Sequence, residues 1–580
     1  MPEGSEASTR APLRELRFVA VPPPAPGPGE VVLDLASGAA GIPRAQTEAW
    51  RAAFVDWLGG LNRSNASVLW WAYTSTAKNM LSSPLGDACF GTLVLDHLLA
   101  STSATRVFVT GAQPAQMAAV RARLGGSQWR VTGPGSDAPL VEPVLRLLWQ
   151  FSRILMLWCT RRLRPAEEGS AEAVLFTYAD PAFRDGPDAF FGSLAQRLAA
   201  RVPPVQACHV AFIQSGYLET LPKLARAKPS RYEPLFGGLR LSDLLWGLKT
   251  SLRAWWRAGR YEAGLLGPIP ATPLLRAALR WDLGRGGYFY NVLVYRAARR
   301  LLSRWRPSWL LYPYENKALE KMLLLAAREA VPACRIVGYQ HTSVTRRHAT
   351  LLFAQGESEV TPMPDRIVTV GEVTRRYLET HGRYPAGIFV TGCALRQQRG
   401  APLGRRANAN GPPRLLLALS SSRRELVEAL EICRRALEHH PGFELGVRPH
   451  PEFPLSLLPA ALRDWVDRSA RDFSGSALAS NLEWCDVVAY VSSTVALEAL
   501  GRGRPVINLA ISDALDPDPV LDPVEFHRTA DSPAALAAAL HEIAALDSDE
   551  FERRRGRALD YVERYLREPT DDALEAFLPA

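Results

Sequence analysis

The stretch from Asp486 to Asn508, DVVAYVSSTVALEALGRGRPVIN, constrains the fold more than any other part of the chain. Its apolar run from Val487 to Val491 has the length and β-branched content of a strand buried on both faces, as in a parallel sheet. Ser492, Ser493 and Thr494 follow, and then a helical pattern that Gly501, Gly503 and Pro505 stop before a second strand opens at Val506. A strand, a hydroxyl-bearing turn, a helix and another strand make a βαβ unit, so this region is an α/β layer. The first turn of such a helix leaves backbone N–H groups unpaired at the positive end of its dipole, and a serine-rich turn there suits a phosphate. Glu498, five residues past Ser493, is within reach of a sugar hydroxyl. The plainer reading makes Ser493 an N-cap and Glu498 a helix-surface residue.

A second segment favours the ligand site. RPHPEFP, Arg448 to Pro454, directly follows the strand-like FELGV. A guanidinium and an imidazole at the C-terminal end of one strand, beside a serine turn at the end of a later strand, can converge on one anion. RLLLALSSSRRELVEAL adds another hydroxyl-rich strand-to-helix turn, in which Ser422 and Glu425 read as a capping box. The residues expected at this anion site are therefore Ser420, Ser421, Ser422, Arg448, His450, Pro451, Ser492, Ser493 and Thr494, with Glu498 beside them.

At 580 residues the chain is too long for one ordinary core, and 47% hydrophobic with 22% charged residues is the balance of a folded globular protein. Seven cysteines without a CxxC pair indicate neither a zinc site nor a disulfide framework, and fit a reducing compartment. The formal net charge of +9, carried mostly by arginine, favours anionic partners. Nucleic acid is not expected among them, because no basic run is interleaved with aromatics. The N-terminus lacks an apolar h-region and no stretch offers the roughly 20 uncharged apolar residues of a membrane span, so a cytoplasmic protein is expected.

Along the chain, residues 1–30 end in PPPAPGPGE and read as a disordered, polyproline-prone leader, with structure starting at Val31. Residues 31–140 read as an N-terminal α/β region with strands at VVLDL, VLWWAY, RVFVT and WRVTG; Ser75, Lys78 and Asn79 follow the second strand, where ligands often bind, and the favoured reading makes them helix caps. Residues 141–170 read as an amphipathic helical segment. In it Arg146, Gln150, Arg153 and Thr160 form a narrow polar stripe, Leu147, Trp149, Ile154 and Leu155 belong to the apolar remainder, and Arg161, Arg162 and Arg164 follow. Internal arginines argue against a span, and the segment reads as a helix lying on an anionic inner membrane, the alternative being a buried connecting helix.

Residues 171–396 read as a second α/β run, interrupted at 215–300 by a tryptophan-rich helical insertion without a clean strand. Asp180, Glu315, His341 and Glu372 each fall just past a strand, at the edge where open α/β sheets bind ligands. QQRGAPLGRRANANGPP, residues 397–413, reads as a linker, and 414–580 as a nucleotide-binding lobe.

The RPHP and VSST segments resemble the HP and SS motifs of bacterial sialyltransferases and capsule Kdo-type transferases, and the related pattern in glycerophosphotransferases of teichoic-acid synthesis. YPYENKALEK, GYQHT and WWAYTSTAKN are similar to segments of a family of surface carbohydrate biosynthesis proteins. The resemblance implies a GT-B-like α/β fold: two Rossmann-like lobes facing a cleft, here with an N-terminal α/β extension and a helical insertion, and a terminal helix packed back on the first lobe. It implies a glycosyltransferase of surface polysaccharide synthesis that takes a nucleotide-activated sugar, with a CMP-linked ulosonic acid favoured, and a glycan or lipid-linked glycan acceptor. The alternatives are a CDP-polyol or sugar-phosphate transferase and a catalytically inactive scaffold. A base must face the donor from the first lobe, and Glu315, His341 and Asp180 are the expected residues, with Asp185 in reserve. The acidic D/E-D/E-G triplet of sialyltransferases is absent, and there is no DxD triplet at a strand end, so neither metal nor cofactor is expected.

Overall fold

The computed structural model describes residues 14–19, 27–35, 42–80, 82–125, 127–133, 141–160, 171–183, 187–200, 204–213, 216–226, 232–396, 400–405, 412–439, 442–511 and 515–578. Three parallel sheets organise it. The first holds β1 (Arg14–Phe18), β2 (Glu30–Asp34), β3 (Arg106–Thr110) and β4 (Trp129–Thr132) in the order β2-β3-β1-β4. The expectation of a disordered leader through residue 30 is thereby corrected. β1 pairs with β3 on one side and β4 on the other, and buries Leu16 and Phe18. Burial on a two-sided partner outweighs the polyproline bias of the segment that follows it.

The expected strand at VLWWAY is also corrected. Val68–Trp71 is a single helical turn whose N-cap, Ser67, accepts from the Trp70 backbone N–H through its hydroxyl, and both tryptophans are buried. Just beyond it, Lys78 reaches the carboxylate of Glu357 at 2.6 and 2.5 Å, fastening this region to the next lobe. Ser75 is buried against Ser83, and Asn79 accepts from the Ser82 backbone, so this turn holds the chain together.

The second sheet is built from β5 (Ala173–Ala179), β6 (Ala207–Ile213) and β7 (Tyr232–Pro234). A small hairpin outside it, β8 (Leu265–Leu266) and β9 (Ile269–Pro270), precedes the remaining strands, β10 (Trp309–Pro313), β11 (Arg335–Gln340), β12 (Arg366–Thr369) and β13 (Phe389–Thr391). The order β13-β12-β11-β10-β5-β6-β7 is that of a doubly wound Rossmann sheet with one strand added. The insertion is not strandless as expected: β7 closes the sheet edge, with Tyr232 stacked 4.6 Å from His209. Helices Tyr217–Arg226, Leu241–Ala258, Thr272–Arg285 and Gly287–Trp305, with the β8–β9 hairpin, make most of the rest of the insertion.

Helix Val141–Thr160 packs on that layer. Leu147 and Ile154 are buried, Phe151 lies 6.2 Å from Phe289, and Gln150 donates to the Arg285 carbonyl at 3.2 Å. Its apolar surface is thus divided rather than wholly available to lipid, which corrects the sequence expectation: Leu145, Leu148 and Trp149 stay exposed. Arg161, Arg162 and Arg164 lie outside the described residues.

The third sheet holds β14 (Arg414–Ala418), β15 (Glu444–Arg448), β16 (Ala470–Asp472), β17 (Val487–Tyr490), β18 (Val506–Leu509) and β19 (His527–Ala530), in the order β16-β15-β14-β17-β18-β19. Taken from its own first strand this is again the doubly wound order 3-2-1-4-5-6. Helix Ser548–Tyr565 returns the chain to the first lobe, where the Tyr565 hydroxyl accepts from the Val344 N–H and Arg567 and Val370 pair through their backbones. The molecule is a GT-B-like α/β fold of two Rossmann-like lobes with an N-terminal extension. Among the described residues no helix is long and apolar enough to cross a membrane.

Candidate active site

A doubly wound sheet opens a crevice at the carboxyl ends of the two strands where its winding reverses. In the second lobe these are β14 and β17, and the turns that follow them are Ser420 to Ser422 and Ser492 to Thr494. Ala418 stands opposite both Arg448 and Tyr490 in register, which sets the ends of β14, β15 and β17 level. Ser420 is buried and accepts from the Ser422 N–H, whereas Ser421 and Thr494 are exposed. Ser493 accepts from the Val495 N–H at 3.2 Å.

Only half of the expected capping box forms. Ser422 accepts from the Glu425 N–H at 3.4 Å, but the Glu425 carboxylate turns away, accepting from the Ser492 hydroxyl at 2.6 Å and pairing with Arg347 of the other lobe at 2.7 Å. A charged partner across the cleft outcompetes a backbone N–H for that carboxylate. The resulting chain, Arg347 to Glu425 to Ser492, ties the loop after β11 to the serine turn after β17.

Arg448 donates from one nitrogen to the Ser476 carbonyl and to Asn481, at 2.7 and 2.6 Å, so it holds the loop ahead of helix Leu478–Trp484. Burial pushes the neighbouring Glu498 carboxyl up, against the opposing charge of Arg448. His450 is half-buried and accepts from the Glu452 N–H through Nδ1 at 3.2 Å. Pro451 is exposed beside it.

In the first lobe the winding reverses between β5 and β10, and Asp180 and Glu315 stand just past those strands, with His341 one strand further. Asn316 turns the chain there with φ of 56°, a left-handed conformation that asparagine tolerates, and donates to the Thr350 carbonyl at 2.8 Å. That turn aims Glu315 at His341 Nε2, 3.1 Å away, and at Lys317, 2.6 Å away. Burial alone would raise the Glu315 carboxyl, but the His341 hydrogen bond and the Lys317 ammonium outweigh it and hold the group down at about 2. Burial lowers the His341 imidazole below its ordinary value even with Glu315 beside it. The pair is therefore a neutral imidazole donating from Nε2 to a carboxylate, with Nδ1 buried and making no hydrogen bond. Phe190 stands edge-on to the ring at 4.9 Å.

Asp180 is exposed and accepts from the Ala182 N–H in a local turn, and among the described residues no hydrogen bond or ion pair joins it to Glu315 or His341. Arg184 and Asp185 lie outside the described residues, and Glu372 opens helix Glu372–His381. Sequence reasoning missed Lys317 and Arg347. The adjacent Arg346 and Arg347, six residues past His341 at the second, were the available signal. Arg346 pairs with Asp516 at 3.0 Å, and both line a cavity of about 730 Å³ between the lobes.

No family model and no curated protein matches the chain. Among solved structures it is similar to the UDP-GlcNAc 2-epimerase from Neisseria meningitidis bound to UDP-GlcNAc, at 9% identity over 70% of this chain and 99% of that one, with a TM-score of 0.41. It is also similar to the lipopolysaccharide outer core galactosyltransferase WaaB in its apo form, at 10% identity over 70% and 98%, TM-score 0.40. MurG from Acinetobacter baumannii gives the same identity, coverage and score as WaaB. Values this low say nothing about substrate or reaction.

Proposed function

We propose that this protein is a GT-B glycosyltransferase that moves a sugar from a nucleotide donor to a glycan or lipid-linked glycan in surface polysaccharide synthesis, at the cytoplasmic face. The observation that supports the reading is the Arg347–Glu425–Ser492 chain, which ties the loop after β11, the strand that leads to His341, to the serine turn after β17. The first lobe offers a neutral His341 oriented by an ionised Glu315, and the second offers serine turns at its own switch point with His450 one strand further. His341 would take the acceptor proton on Nδ1 while Glu315 steadies the imidazolium that forms. Ser420, Ser421, Ser422, Ser492, Ser493, Thr494 and the Nε2 of His450 would hold the leaving phosphate, and Glu498 a donor hydroxyl, with Arg448 shaping the pocket wall and Pro451 the turn beside His450. Such stabilisation by fixed dipoles and donors needs neither metal nor cofactor. The cytidine donor, a CMP-linked ulosonic acid, rests on the likeness of RPHP and VSST to the HP and SS motifs.

The test is calorimetric titration with CMP, CDP, UDP and GDP. A cytidine nucleotide binds tightest, and His450→Ala and Ser493→Ala each weaken it by roughly 1.5–3 kcal/mol, the worth of a charge-assisted phosphate contact. Unchanged affinity in both variants refutes the site, and preference for UDP refutes the donor.

A further inference from the structure

The helical layer of the first lobe presents a surface that sugar transfer does not use. On helix Leu241–Ala258 the residues Leu241, Leu245, Leu252 and Trp256 are 45, 54, 54 and 73% exposed. Their spacing puts them on one stripe of the helix. The opposite stripe, with Leu244, Gly247, Ser251 and Ala254, is buried, and Gly247 lets it close on Phe289 and Leu293, 3.0 Å from where a Cβ would stand. The core is thus satisfied without the outer stripe.

Lys249, Arg253, Arg257 and Arg260 line the same shallow groove as Leu245, Leu252 and Trp256. All four are exposed, and among the described residues none of them makes an ion pair. Arg260 lies 4.8 Å over the Trp256 ring. The one acid of the helix, Asp243, is buried and bound by Arg296 at 3.0 Å and Arg300 at 2.6 Å, so it offers the surface no negative charge. Helix Val141–Thr160 packs beside this one and itself leaves Leu145, Leu148 and Trp149 exposed, at 59, 50 and 56%.

We infer that this two-helix face docks on an anionic lipid bilayer. The leucines and Trp256 enter the boundary between headgroups and acyl chains, and the four cations meet lipid phosphates, the division of labour of an interfacial helix. Charge selects this occupant over a second copy of the chain, because a two-fold interface would set the same four cations against each other. The contact thereby moves from helix Val141–Thr160 alone, where the sequence pointed, to a face dominated by its neighbour. It stands apart from the donor site, so nucleotide titration serves as an independent control.

The experiment is flotation of the full chain with phosphatidylglycerol-containing vesicles and with phosphatidylcholine vesicles, at low and high salt. The wild type floats with the anionic vesicles at low salt, and its partitioning falls with salt and on phosphatidylcholine alone. Leu245→Glu with Trp256→Glu, and separately Arg253→Glu with Arg257→Glu, each lower partitioning about tenfold or more, with melting temperature and nucleotide affinity unchanged. An unbound wild type, variants that float equally well, or equal binding to phosphatidylcholine overturns the proposal. So does a concentration-dependent dimer in sedimentation that either variant pair dissolves, which would make the occupant a second copy.

Discussion

Replacing Lys78 by methionine takes the cation out of an ion pair whose side chains are each 1% exposed. Methionine matches the length of the stem and inherits the same left-handed backbone, φ of 56°, so the change isolates the charge. Glu357 keeps two neutral donors, Asn62 at 2.7 Å and the Ala354 N–H at 2.8 Å, but loses both bonds to the ammonium. Removing one partner of a buried pair costs about 3–5 kcal/mol, because the other charge stays out of water uncompensated. Lys321 moderates this: burial first, and then the neighbouring Lys78 charge, bring its ammonium down to about 7, so it becomes more fully charged once Lys78 is gone. The expected loss is therefore near the lower end, about 3 kcal/mol. Urea unfolding followed by circular dichroism and tryptophan fluorescence measures it, and Trp70, which donates to Asn62 at 2.9 Å, reports from the same cluster. The wild-type Glu357 carboxyl is held below its ordinary 4.5, against its own burial, chiefly by Lys78. Without that charge its pKa rises, so the penalty of the variant shrinks as pH falls and the carboxyl takes up a proton. A Lys78→Met, Glu357→Leu double variant, which also removes the stranded carboxylate, is more stable than Lys78→Met alone. A single-variant loss under about 1 kcal/mol, or a double variant worse than the single, refutes the reasoning.

Three further outcomes follow from the cleft. Because burial keeps the His341 pKa below 6.5, the ring is neutral and able to accept a proton at neutral pH, and kcat/KM falls only as pH drops below about 6.5. Glu315→Gln removes the charge that opposes burial, so that acid limb moves to still lower pH while kcat drops and nucleotide affinity holds; a limb that stays put or moves up removes His341 as the base. Glu425→Gln removes the carboxylate that pairs with Arg347 and stands beside the serine turn, and calorimetry shows nucleotide affinity rising about threefold or more.

Much of this architecture is local enough to be written in the chain. Runs such as Val487 to Val491 followed by Ser492, Ser493 and Thr494 declare a strand, a turn and a helix through period and turn chemistry, which neighbouring residues impose on each other. The positions of Glu315, His341, Ser420 and Ser493 at strand ends were legible for the same reason. β1 was not: RELRF alternates apolar and charged residues, and its central place depends on β3 and β4, which arrive about a hundred residues later. VLWWAY is apolar enough for a strand or a helix, and only the Ser67 cap and the packing of Trp70 and Trp71 decided between them. Glu425 stands three residues from Ser422 yet commits its carboxylate to Arg347 and Ser492, 78 and 67 residues away. No local rule could say which of those partners would win, because the energy of a charge pair depends on who is brought within 3 Å and how much water is excluded there. Trp256 makes the same point from the outside. Its type predicts a place in the core, and it stands exposed because Gly247 and Ala254, on the opposite stripe of its helix, were the residues small enough to let the helix close on its neighbours.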